Sequence, residues 1–407
     1  MIDVLLLEQG VLAAKGFRAG TAACGIKRSG NTDVVFIAAD QPLTGLAMVG
    51  TQNVVCASSV TRNRAEVSGP NAASIRGVVI NSGCANVATG QQGIDSNLEM
   101  GECAAQLCGG GVLTASTGVI GVQLPMDKLV TGIEAAWAAA GTTSDHDRAA
   151  AEGIMTTDLV RKSVAIKVTT DFGAYHIGGI AKGSGMIAPN MATMLAFVTT
   201  DADIPSGLLQ PLLSDVVDRT FNAITVDGDT STSDQCIVLA SGLSGVCISD
   251  TESPLYQEFS DVLEAVMLHL AKAIARDGEG ATKLVEIRVS GALSNQGARA
   301  VAKTIAESPL VKTALFGNDP NWGRLMAAAG RAGVPFDPAA ASASIAGIEV
   351  YRAGVPTDFN AVEVSDAMKA PDVLIEVDLG DTAGGAFTFY TCDFSYDYVR
   401  INAEYTT

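Results

Sequence analysis

Histidine is nearly missing from this chain: His146, His176 and His269 are the only three, and none stands beside a serine or cysteine in a recognisable nucleophile motif. A nucleophile that relies on an adjacent imidazole is therefore not expected. Aromatic residues supply only 5% of the 407 positions against a hydrophobic share of 48%, which predicts a core of small aliphatic side chains closely packed through glycine and alanine. Basic residues are also scarce. With 26 lysines and arginines against 44 acids, the net charge is −18, and a nucleic-acid partner, which needs a basic face, is excluded.

No apolar run approaches the roughly 18 residues of a membrane span. The first residues carry Asp3 and Glu8 rather than a basic stretch before an apolar one, so no membrane partner and a cytoplasmic location are expected. Eight cysteines include no Cys-x-x-Cys pair and no neighbouring histidine cluster, so no metal site is expected and most should be reduced core residues. The glycine-rich GEGATK lacks P-loop spacing, because Lys283 is followed by Leu284. No internal repeat is present.

What the chain does have is an alternation of short strands and helices. A buried-strand pattern covers Gly77–Asn81, an amphipathic helix Asp95–Leu107, and a second strand Val112–Ala115. Ser163–Thr169 and Ala174–Gly178 read as a hairpin leading to Lys182. Helices are expected at Pro205–Thr220 and Pro254–Arg276, with strands near Cys236–Ala240 and Leu284–Ser290. Asp372–Leu379 and Ala386–Tyr390 alternate like antiparallel strands, with the DTAGG of Asp381–Gly385 as their turn. The pattern predicts mixed alpha and beta layers.

The stretch Lys182–Leu195, KGSGMIAPNMATML, runs small and apolar residues up to Thr193. On its own it also fits a turn leading into a strand at Met194–Thr200. A threonine hydroxyl is a poor nucleophile near neutral pH, but at a chain's amino terminus it brings its own base, an alpha-amine with a pKa of about 7.7 to 8.0.

Other segments stand in a fixed order around this one: GVLAAKGFRAG at Gly10–Gly20, NSGCANVATG at Asn81–Gly90, ASTGVIG at Ala115–Gly121 and MTTD at Met155–Asp158 before it. After it come DGDTSTSD at Asp227–Asp234, RDGEGATKL at Arg276–Leu284, SPLVKTALFGNDPNWGR at Ser308–Arg324 and INAEYTT at Ile401–Thr407. Together they resemble the arginine-biosynthesis ornithine acetyltransferase / glutamate N-acetyltransferase family over nearly the whole chain.

The resemblance implies a layered sandwich of sheets covered by helices, of the self-processing type with an amino-terminal nucleophile. It places the scissile bond between Ala192 and Thr193, giving an alpha chain 1–192 and a beta chain 193–407 with a smaller alpha/beta region from about residue 285. Thr193 is the implied nucleophile, with Thr117 and Gly118 as the oxyanion hole. Substrate contacts are implied at Thr156, Lys182, Thr193, Glu279, Asn402 and Thr407, with Lys182 and Glu279 suited to a carboxylate and an amine.

The implied reaction moves acetyl from N-acetylornithine to glutamate through an acetyl-threonine, with no metal or bound cofactor; some relatives also take acetyl from acetyl-CoA. Two alpha and two beta chains are the implied assembly. Two other classes remain open at this point: an amidohydrolase or aminopeptidase with the same nucleophile, and a non-catalytic metabolite-binding relative. Cys84 stands where an asparagine is usual, and Glu404 where an aspartate is common, which bears on substrate preference and on the loop after Asn81.

Overall fold

The computed structural model describes residues 3–188 and 194–404, and the chain divides into two compact units. One runs to Asn222 and takes in Thr230–Ile274; the other comprises Ala223–Asp229 and the chain from Ala275 onward. Thr193, Ala192 and Thr407 lie outside the described residues.

The first unit contains strands β1 (Asp3–Leu7), β2 (Phe17–Ala22), β3 (Val34–Ala39), β4 (Gly45–Gly50), β5 (Ile75–Cys84), β6 (Gly111–Val119), β7 (Lys162–Thr170), β8 (Gly173–Lys182), β9 (Leu195–Thr200) and β10 (Gln235–Ala240). They form a six-stranded sheet in the order β1-β7-β8-β9-β10-β4 and a four-stranded sheet in the order β2-β3-β5-β6. The helices are α1 (Ser58–Ser68), α2 (Gly90–Cys108), α3 (Met126–Ala138), α4 (Ser144–Gly153), α5 (Ser206–Arg219) and α6 (Pro254–Arg276), the last ending just past the boundary between the units.

The period of two along a strand explains the layering. In β3, Val35 and Ile37 join Phe17, Leu113, Ile180, Leu195 and Phe197 in a core shared by the two sheets. Val34, Phe36 and Ala38, on the opposite face, pack with Met100 and Ala104 of α2 and Leu129 and Ile133 of α3. Strands buried on both faces read as continuous apolar runs, as VVFIAA does. On the far side of the large sheet, α6 lies so close to β8 that a side chain at Gly179 would stand 3.0 Å from Leu270. Helices, sheet, sheet and helices thus form a sandwich. The few aromatics anchor it, with Tyr175 against Phe259 at 5.9 Å and Phe36 against Trp137 at 5.1 Å.

The second unit is one sheet backed by helices. Its strands are β11 (Leu284–Ala292), β12 (Ser342–Ile345), β13 (Ile348–Arg352), β14 (Val355–Pro356), β15 (Asp372–Asp378) and β16 (Gly385–Cys392), in the order β14-β13-β12-β15-β11-β16. The helices are α7 (Asn295–Ala306), α8 (Pro309–Phe316), α9 (Trp322–Gly330), α10 (Ala361–Ala367) and α11 (Tyr396–Glu404). Side-chain caps start four of them: Ser294, Ser308, Asn321 and Asn360 accept from the amides of Gly297, Val311, Arg324 and Val362. Val285, Ile287 and Val289 of β11 face Val301 and Ile305 of α7 in the core.

The expected hairpin of β7 and β8 is present, with Lys162 opposite Ala181 and Thr170 opposite Gly173. The pairing expected for Asp372–Leu379 and Ala386–Tyr390 is corrected. β15 and β16 do not pair with each other, because β11 lies between them, parallel to β15 and antiparallel to β16. The DTAGG loop passes over the end of β11, where the Asp381 amide donates to the Gly291 carbonyl at 2.9 Å. Among the described residues, no helix is long and apolar enough to cross a membrane.

Candidate active site

Parallel pairing of β5 and β6 brings Gly83 opposite Gly118 where both strands leave the sheet. Both glycines have positive φ, 108° and 127°. A Cβ at Gly118 would stand 2.4 Å from the Gly83 carbonyl carbon and 2.7 Å from the Cys84 nitrogen, so only glycine fits this close crossing of two backbones. Asn81 holds the same corner. Its side-chain amide donates to the Cys84 carbonyl at 2.8 Å, and its oxygen accepts from the Ser116 hydroxyl at 2.7 Å. Cys84 itself is buried among Met100, Ala104 and Leu124, which is a packing role.

Thr117 lies within β6 next to the anchored Ser116 and is 9% exposed, as is Lys182 at the end of β8. Lys182 Nζ lies 3.4 Å from Thr117 Oγ1. The two line a small cavity together with Met186, Met194, Ser231 and Asp234. Met194 is the residue to which Thr193 is bonded. Thr117, Gly118 and Lys182 are therefore brought together beside the point where the described chain resumes.

The segment before that point is held from several sides. Gly183 has φ +150° and Met186 has φ +55°, a conformation that a side chain rarely adopts. Ile187 bridges to Thr230, whose hydroxyl donates to the Ala188 carbonyl at 2.9 Å. The DGDTSTSD stretch thus supports the glycine-rich one.

Thr156 is half-buried in a turn after α4, and its amide donates to Asp158 Oδ2 at 3.0 Å. Asp158 is the residue that sequence reasoning missed. Its other oxygen accepts from the Gly183 amide at 2.7 Å and from Lys162 Nζ at 2.8 Å, with both side chains of the Lys162 pair wholly buried. Burial acts to raise its pKa, but the cations of Lys182 and Lys162 and the Gly183 amide outweigh it and hold the carboxyl at about 2. Its place at the end of the MTTD match, four residues before Lys162, was the available signal.

A third lysine feels the same field. Burial pushes the Lys27 amine down to about 8, with Asp33 and Asp158 opposing and Lys182 adding to the effect. Lys27 Nζ donates to the carbonyls of Thr32 and Gly153 at 2.7 and 3.1 Å.

In the second unit, Glu279 is buried at 8% exposure and accepts from Asn402 Nδ2 at 2.9 Å. The same amide reaches the Tyr398 carbonyl at 3.0 Å, so the two expected residues are joined at the start of one buried loop and on α11. Ser395 donates to the Gly280 carbonyl at 2.5 Å and steadies that loop.

A catalytic cysteine gains nothing from this geometry. Burial raises the thiols of Cys84, Cys108, Cys236 and Cys392, the opposite of what activates a nucleophile. Among the described residues, no group of three or more histidines, cysteines or acids is placed to hold a metal ion.

The family model for ArgJ matches residues 18–407. The chain belongs to the ArgJ family. The arginine biosynthesis bifunctional protein ArgJ of Gloeobacter violaceus is 47% identical, with all of both chains covered. That of Thermus thermophilus is 46% identical over 97% of this chain and 98% of its own. A crystal structure of the ArgJ protein of Bacillus halodurans is 46% identical, with a TM-score of 0.51; all of that chain is matched by 52% of this one. Membership in ArgJ makes this chain an acyltransferase of arginine biosynthesis, with the mixed alpha/beta sandwich described above.

Proposed function

We propose that this ArgJ-family acetyltransferase first breaks its own chain between Ala192 and Thr193, leaving an alpha chain 1–192 and a beta chain 193–407. The released Thr193 amine then serves as the base for its own hydroxyl. The observation that carries this reading is the cavity shared by Thr117, Lys182 and Met194, which gathers an oxyanion donor and a cation beside the residue bonded to Thr193. The Bacillus chain, matched in full by 52% of this one, has the share that a 193–407 fragment would make up.

In the forward half-reaction the Thr193 hydroxyl oxygen attacks the acetyl carbon of N-acetylornithine and passes its proton to the alpha-amine. Negative charge collects on the carbonyl oxygen against Thr117 and Gly118. Each such donor contributes on the order of 3 kcal/mol to the transition state. The carbon–nitrogen bond breaks, the ornithine nitrogen takes the proton from the threonine ammonium, and an acetyl ester remains. The glutamate amine then attacks this ester by the reverse sequence, giving N-acetylglutamate and free Thr193.

Lys182 faces the substrate carboxylate, and Thr156 lines the same place. Glu279, with Asn402, takes the ornithine amine, and Thr407 completes the set. No step requires a metal or a bound cofactor. Acetyl-CoA serves as a second acetyl donor in this scheme, the cytoplasm is the site of action, and the working assembly is two alpha and two beta chains.

Consumption of N-acetylornithine with and without glutamate tests the reading. The scheme requires turnover to depend on glutamate; equal rates in its absence would make the protein a hydrolase.

A further inference from the structure

Asp158 has no part in the reaction just described, yet its carboxylate accepts three hydrogen bonds beside the cavity. Its Oδ2 accepts from the Thr156 amide, and its Oδ1 accepts from the Gly183 amide and from Lys162 Nζ. Thr156 and Lys162 flank Asp158 in the one stretch that leads from α4 into β7, and Gly183 follows β8, so the carboxylate ties that stretch to the end of β8. Lys182 is covalently next to Gly183 and close enough for its charge to act on Asp158.

We propose that Asp158 is a positioning residue for substrate binding, fixing Thr156 and Lys182 relative to each other through its two oxygens and supplying the countercharge that Lys182 needs. The inference rests on the reading of Lys182 as the cation that meets the substrate carboxylate.

Two amides fix the backbone at both substrate contacts, which sets geometry. The charge does something further. The groups that act on Asp158 are the cations Lys162 and Lys182, and Lys27 feels Asp158 in turn, with Asp33 as its own facing acid. Three amines share this region with Asp158, Asp33 and the Asp234 that lines the cavity with Lys182, and removing Asp158 leaves the amines less well balanced. Under those conditions a buried ammonium loses its proton more readily, so Lys182 becomes neutral at a lower pH than in the unaltered protein.

The test is steady-state kinetics of Asp158→Asn and Lys182→Met, normalised to the cleaved fraction seen by denaturing mass spectrometry. For Asp158→Asn the expected result is a KM for N-acetylornithine raised roughly ten-fold, with kcat kept within roughly three-fold. That KM should climb further between about pH 7 and about pH 9, whereas the wild-type value stays level. A merely structural role would lower thermal stability and leave KM and its pH profile unmoved, which would overturn the proposal. Loss of self-cleavage with substrate binding unaffected would overturn it too.

Lys182→Met separates the proposal from the reading beneath it. A wild-type KM in Lys182→Met removes the role of Lys182; a raised KM there, with a level profile in Asp158→Asn, removes only that of Asp158. Should Asp158→Asn fail to fold, Asp158→Glu carries the test. It keeps the charge and alters the reach, so a raised KM that stays level with pH is expected, and a wild-type KM would count against the proposal.

Discussion

Gly118 illustrates how much a single residue decides here. Its φ of 127° and the 2.4 Å approach of a hypothetical Cβ to the Gly83 carbonyl carbon leave no room for a side chain. Gly118→Ala should cost roughly 3 kcal/mol or more, since neither backbone can yield without breaking the corner held by Asn81. Chemical denaturation measures this directly, and an unchanged midpoint would refute the crowding. Asp158 makes a second case. Its carboxyl is held at about 2 in the folded protein, below the ordinary value of about 3.9. A depressed folded pKa contributes stability that is present above the unfolded pKa and is lost as pH falls through the folded one. The contribution is on the order of 2 kcal/mol. Wild-type stability should therefore fall more steeply than that of Asp158→Asn between about pH 4 and about pH 2; parallel curves in urea unfolding would contradict it. Thr117 and Lys182 were legible through the ordered motifs around them. Asp158 was not, because nothing in the string MTTD says that its acid is buried or that it meets Gly183, twenty-five residues on.

Elements were legible where local pattern suffices. The helix expected at Pro254–Arg276 is α6 to the residue, since its apolar spacing stands out over twenty-three positions. The hairpin of β7 and β8 is equally local. β15 and β16 were read correctly as strands and wrongly as neighbours, because alternation reports which face is buried and not which strand lies alongside. β11 enters between them from about eighty residues earlier in the chain, a long-range choice governed by its pairing with both. β9 shows what an element does for the site. It begins at Leu195, one residue beyond Met194, is buried along its whole length, and lies between β8 and β10. Phe197 sits in the core between the sheets at 1% exposure. Phe197→Ala should destabilise the protein by about 3 to 5 kcal/mol, and a loss below about 1 kcal/mol would mean that this core is not packed as described.

For the whole molecule, the proposed cut and the compact units do not coincide. β8 and β9, which flank the cut in sequence, both belong to the first unit, whose boundaries lie after Asn222 and Ile274. β8 and β9, on either side of the cut, pair through the register from Ile177 opposite Thr200 to Lys182 opposite Leu195. β4 from before the cut pairs with β10 from after it along six residues each. Two sheet seams therefore hold the products together, and cleavage should leave one folded body. Native size exclusion should show both fragments eluting as a single species that separates only in denaturant; early separation of the fragments under native conditions would contradict the shared sheet.

The central claim is that Thr193 is both the point of cleavage and the acetyl-accepting nucleophile. Intact-mass measurement under denaturing conditions, coupled to an acetyl-transfer assay, tests it in wild type and in Thr193→Ala. The account predicts two fragments divided before Thr193 and glutamate-dependent transfer in wild type, against one intact and inactive chain in the variant. An uncleaved wild type that is fully active, or equal activity in the two proteins, would contradict it.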